Sequence, residues 1–166
     1  MSSESVIVVA VEDLGTAGVV AAGAAHFAME QRAARVILLH VLDDHTVTNG
    51  LVGFMGVCAP VVEMAEEGVA ALALAEAAMQ AEYAGVNQSP PSIAREVREG
   101  KPGSVIGEVA AQAGAAAIVI GARRPHAFGR LTHPDVVRYL RQHTQLPIYI
   151  VALQEAPSQT TAPASE

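Results

Sequence analysis

The densest group of chemically capable side chains lies in one loop. Arg123, Arg124 and Arg130 are interleaved with His126 and His133, between an apolar run ending at Gly121 and the segment Thr132-His133-Pro134-Asp135. A guanidinium is a planar fork of donors suited to phosphate or carboxylate. The loop therefore reads as an anion site on a chain of formal charge −7, with a solvated loop or salt bridges to the domain's own or a partner's acids as the other reading. Thr132 to Asp135 has capping-box spacing, with Thr132 at N-cap and Asp135 at N3. A carboxylate there steadies the helix start and repels an incoming phosphate.

Catalytic signatures are missing from the sequence. There is no G-x-S-x-G, H-E-x-x-H or C-x-x-C, and G-K-P-G at 100–103 lacks the rest of a P-loop. The lone Cys58 cannot form an internal disulfide and is a weak nucleophile candidate in its apolar setting. Asp43, Asp44, His45 and Cys58 are metal-ligand types without the tight paired spacing of a site. No metal is expected, and the chain is not expected to be an enzyme.

These residues must be held by regular elements, and the hydrophobic pattern supplies them. Ser5–Val11 and Arg35–Val41 are short apolar runs rich in branched residues, which reads as buried parallel strands. Ser92–Arg98 alternates apolar and polar, as at a half-exposed edge, while Ile118–Ile120 and Ile148–Val151 complete five strands. Helices are expected from Ala17 to Arg32, with Thr16 as N-cap, and from Val61 to Ala84, with Glu63, Glu66 and Glu67 at its positive end. Two more are expected, one from Ser104 to about Ala113, stopped by Gly114, and one starting at Thr132-His133-Pro134-Asp135. Gly18 and Gly23 weaken the first helix and are expected to let it sit close to the sheet. His40 reads as a packed or hydrogen-bonded core histidine rather than a ligand. The alternation of strand and helix gives a single doubly wound α/β domain, a five-stranded parallel sheet with helices on both faces.

The connection from Asp43 to Pro60 is long, and its middle, GLVGFMGV, is apolar. Either it acts as a lid or partner contact, or it folds back on its own core. Residues 1–153 are expected to form the domain and 154–166, a polar stretch with two prolines, a disordered tail. The acidic balance argues against nucleic-acid binding. No apolar run reaches the length of a membrane span, and Met1–Ser5 lacks a signal-peptide pattern, so a cytoplasmic protein without membrane contact is expected.

The segment REGKPGSVIGEVAAQAGAAAIVIGAR, the LHV end of the second strand, and Gly121 with the loop, helix and Leu146-Pro147 that follow resemble the universal stress protein family over roughly Val6 to Ala152. The resemblance implies strand order 3-2-1-4-5, a cleft between the first and fourth strands, and a homodimer paired through Ile148–Val151. The family's nucleotide loop reads G-x-x-G-x9-G-(S/T). Laid on this chain, its first glycine is Gly121, but the second falls on Arg124, the third on Pro134 and the hydroxyl on Asp135. Glu12 stands where the family has an aspartate, and Val41 where its backbone meets adenine.

The candidate ligand residues are thus Glu12, Val41, Gly121, Arg123, Arg124, Gly129, Arg130 and His133. ATP is not expected. The resemblance leaves room for AMP, a cyclic adenine nucleotide or a small anion, sensed by a non-catalytic regulatory dimer. The alternative is a ligand-free adaptor acting through the apolar 50–57 loop.

Overall fold

The computed structural model describes residues 5–43, 59–123 and 134–153, with only the backbone of 59–63, 123 and 134. Five strands, β1 (Val6–Ala10), β2 (Arg35–Asp43), β3 (Ser92–Gly100), β4 (Ala117–Arg123) and β5 (Ile148–Leu153), form one parallel sheet in the order β3-β2-β1-β4-β5. Among the described residues four helices alternate with them: α1 (Leu14–Glu30), α2 (Ala59–Gly85), α3 (Pro102–Gln112) and α4 (Pro134–His143). This is the fold that the resemblance implies.

Strand side chains alternate between two cores because successive Cβ atoms point to opposite faces. Ile7, Val9, Leu38, Val119 and Val151 face α1 and α2. Val8, Ile37, Leu39, Ile118 and Ile120 face α3 and α4. A parallel strand covered on both sides must be apolar throughout, which is why β1 reads VIVVA. Both edges are less covered. On β3 the outward charges are tied down by Arg95–Glu76 and Arg98–Glu96 ion pairs. On β5, by contrast, Tyr149 and Ile150 are 40% and 39% exposed.

Several boundaries differ from the sequence reading, each for a local reason. The first helix starts at Leu14, so its N-cap is Asp13 and not Thr16. Asp13 Oδ1 accepts from the Thr16 backbone N–H at 2.8 Å and from the Thr16 hydroxyl at 3.1 Å. The second helix starts at Ala59, so its first turn holds no acid. Glu66 and Glu67 are exposed beyond the turn in which a helix dipole acts. The fourth strand continues through Gly121 to Arg123. Helix α4 begins at Pro134, which puts Asp135 at the second helical position rather than the third. At the end of α3 the stop is as expected. Gly114 has φ +60°, and the Ala115 and Gly114 N–H groups reach back to Ala110 and Ala111, a Schellman closure.

Of the two α1 glycines expected to admit the sheet, Gly23 allows close approach and Gly18 has no such role. A Cβ at Gly23 would lie 2.7 Å from Val151 of β5, whereas nothing lies within 4 Å of one at Gly18.

Candidate functional site

Strand order reverses between β1 and β4, and the sheet opens there for a simple reason. The last paired residues of the two strands are Ala10 and Ile120. Beyond them β4 stays with β5, pairing Gly121 with Val151 and Ala122 with Ala152. The chain after β1 stays instead with β2, the Val11 N–H donating to the Leu39 carbonyl at 2.8 Å. The crevice left between them is where open α/β sheets hold ligands.

The cleft is open to solvent, with about 670 Å³ of space counted out to its mouth. Its walls are apolar: Val20, Leu39, Val41, Ile106, Ile120 and Val136. Glu12 is the only ionisable side chain and Thr16 the only hydroxyl among its described lining residues. The Thr16 hydroxyl donates to Asp13 Oδ1, the same oxygen that caps α1. The described lining is thus an apolar slot with one carboxylate at its rim, the chemistry of a recognition site.

A second recess adjoins the cleft, sharing Pro102 and Val136 with it. It is lined by Asp43, Lys101, Ser104, Asp135 and Tyr139. Among the described residues, two carboxylates and one ammonium border it. Asp135 is exposed in the first turn of α4, where it places negative charge at the helix end that would otherwise favour an anion.

Three candidates from the sequence, Glu12, Val41 and Gly121, come together in this cleft. Gly121 also has a packing role. A Cβ there would lie 2.6 Å from Val20 Cγ2 and 3.3 Å from Leu153 Cδ1, so α1 can reach the sheet only if residue 121 has no side chain. It does not have positive φ. Arg123 ends β4, though its side chain is outside the described set, and Arg124, Gly129, Arg130 and His133 lie outside the described residues altogether. So do His126, Thr132, the apolar 50–57 loop, Asp44, His45, Cys58 and the tail. Sequence reasoning missed Thr16 as a cleft residue, having placed it at the N-cap. It also missed the valines Val136 and Val137, which read only as the apolar face of a helix. Their available signal was position, at the carboxyl ends of strands and the start of the helix after β4.

Among the described residues no three His, Cys, Asp or Glu side chains gather as a metal site. No described helix is long and apolar enough to cross a membrane. His40 is a core histidine, 9% exposed, with Nδ1 2.9 Å from the Val11 carbonyl.

The fold matches a universal stress protein from Archaeoglobus fulgidus with a TM-score of 0.65 at 23% identity, covering 89% of this chain and 98% of that one. It matches the Archaeoglobus fulgidus protein solved in complex with dAMP with a TM-score of 0.57 at 20% identity, covering 91% and 99%. A universal stress protein in complex with cAMP gives 0.59 at 16% identity, covering 91% and 98%. No curated protein matches the sequence. These likenesses speak for the fold, and the sequence pattern carries the family: the model of the Universal stress protein family matches residues 5–152. The chain belongs to the universal stress protein family.

Proposed function

We propose that this chain is a non-catalytic regulatory protein that binds an AMP-type adenine nucleotide, rather than ATP, in the β1/β4 cleft, and does so as a homodimer. The observation that carries the reading is the contrast between the two ends of the site. The slot is apolar, which suits the faces of a base. Glu12 gives its rim an acceptor for sugar hydroxyls. The neighbouring recess carries Asp43 and Asp135. At the family's nucleotide-loop positions the chain has Arg124, Pro134 and Asp135 in place of two glycines and a hydroxyl. Proline has no N–H to give a phosphate, and aspartate repels one. The arginines of the loop supply positive charge for a short anionic group. The dAMP and cAMP complexes of fold relatives support the same ligand class.

Dimerisation is proposed through β5, whose Tyr149 and Ile150 leave an apolar edge open to strand pairing. Domain limits of 1–153, with 154–166 as a tail outside the core, are proposed on composition.

The test is ligand carried through purification. Nucleotide released by denaturing the purified protein should be AMP or a cyclic adenine nucleotide by mass spectrometry. The protein has no tryptophan and only three tyrosines, so nucleotide absorbance stands clear of its own. Release of ATP in stoichiometric amount contradicts the proposal. Release of nothing, together with no binding of added AMP, favours the adaptor reading.

A further inference from the structure

We infer that His40 is a positioning residue for the cleft: seated against Gly68 of α2, it holds the Val11 carbonyl and thereby fixes the turn that carries Glu12. The inference rests on the nucleotide reading above and deepens it, since it names what sets the shape of that site.

Four observations support it. A carbonyl oxygen only accepts, so at 2.9 Å His40 Nδ1 carries the proton and donates to Val11. The Val11 N–H is bound to the Leu39 carbonyl. Both polar groups of Val11 are thus tied to β2, one residue beyond the end of β1. The next residues are Glu12, on the cleft rim, and Asp13, whose side chain caps α1 through Thr16. The turn is consequently held at its start by His40 and at its end by the cap, with Glu12 between the two anchors.

The fourth observation concerns the other side of the imidazole. A Cβ built at Gly68 would lie 2.3 Å from His40 Cδ2 and 2.8 Å from Nε2. Glycine inside a helix is unfavourable without a reason, and here the reason is that the ring occupies the space of a side chain. His40 therefore links α2 to the cleft. A displacement of α2 at Gly68 is transmitted through a rigid ring to Val11 and on to Glu12.

The experiment uses the full chain with three variants: His40→Leu, which keeps bulk and loses the donor, His40→Asn, which keeps a donor near the Nδ1 position, and Gly68→Ala. Two readouts are taken. One is AMP affinity by calorimetry. The other, in the ligand-free protein, is the amide NMR signals of Glu12, Asp13 and Thr16 with the nitrogen shifts of the His40 ring. The ring should show the Nδ1–H form. His40→Leu and Gly68→Ala should each move the three amide signals and weaken AMP binding about fivefold, the worth of one ordinary hydrogen bond. His40→Asn should return affinity to within about twofold of the parent.

Equal loss in Leu and Asn, or unmoved amides in Leu and Gly68→Ala, overturns the inference. So does an Nε2–H ring without a proton on Nδ1. If His40→Leu does not fold, Gly68→Ala against the parent decides. If the parent binds no AMP, the nucleotide reading fails by itself, while the ligand-free amide and ring signals still decide the role of His40.

Discussion

Gly121 is the one position of the family's nucleotide loop at which this chain keeps the glycine, and its surroundings say what the glycine does for the fold. In Gly121→Ala the new methyl would lie 2.6 Å from Val20 Cγ2, against an ordinary carbon–carbon contact of about 3.5–4.0 Å. Val20 is 1% exposed on α1, and a β-branched side chain in a helix has essentially one rotamer. It cannot turn aside, so α1 must lift by roughly 1 Å. Overpacking of this kind costs about 1–3 kcal/mol, which for a domain of this size lowers Tm by about 3–9 °C. Val20→Ala removes the obstacle and by itself costs about 2 kcal/mol. The double variant should then cost about 2 kcal/mol as well, not the roughly 3–5 of an additive pair. Far-UV circular dichroism in a urea titration reads all four proteins. Additivity within about 0.5 kcal/mol would refute the packing argument. AMP affinity measured on the double variant then separates the two roles of Gly121. If stability recovers and affinity does not, the glycine also meets the ligand.

Other outcomes follow from the same structure. Arg124→Gly with Pro134→Gly and Asp135→Ser should confer ATP binding that the parent lacks by about 100-fold or more, two charged hydrogen bonds being regained; calorimetry with magnesium present checks it, and unchanged ATP affinity counts against the motif argument. Ile150→Lys should convert a dimer to a monomer in light scattering at micromolar concentration with little loss of Tm, because Ile150 is 39% exposed on the β5 edge. Burial pushes the Tyr83 hydroxyl above the ordinary tyrosine range; a raised folded pKa means that this contribution to stability is intact below pH of about 10 and is lost as pH rises beyond it. Tyr83→Phe should flatten that alkaline loss, and an unchanged profile would assign it elsewhere. Deleting residues 154–166 should shift Tm by less than about 2 °C, since a polar, proline-containing stretch without aromatics buries little.

Much of the architecture was legible because a covered parallel sheet forces continuous apolar strands. Val6–Ala10 and Arg35–Val41 could be read from branched-residue runs alone, whereas the order of strands came from the family resemblance. Glycine caused one error of boundary. Gly121 looked like the end of a strand, but it is an interior residue whose missing side chain admits Val20. The N-cap was expected at Thr16, when Asp13 was the residue placed to cap. At Gly23 the expected close approach is present, and the partner, Val151, comes from the far edge strand. The apolar slot was partly legible through Val41 and Glu12. The His40–Gly68 contact was not, because local periodicity says which face a residue takes but not which distant backbone leaves it room.

The proposed function turns on a preference among nucleotides. Titrating one preparation of the intact protein with AMP and with ATP, in the same buffer with magnesium, measures it directly. AMP should bind saturably at the β1/β4 cleft and ATP more weakly by about 100-fold or more. ATP binding as tight as AMP would show that the acidic start of α4 and the altered loop do not select against the longer phosphate chain, and would contradict it.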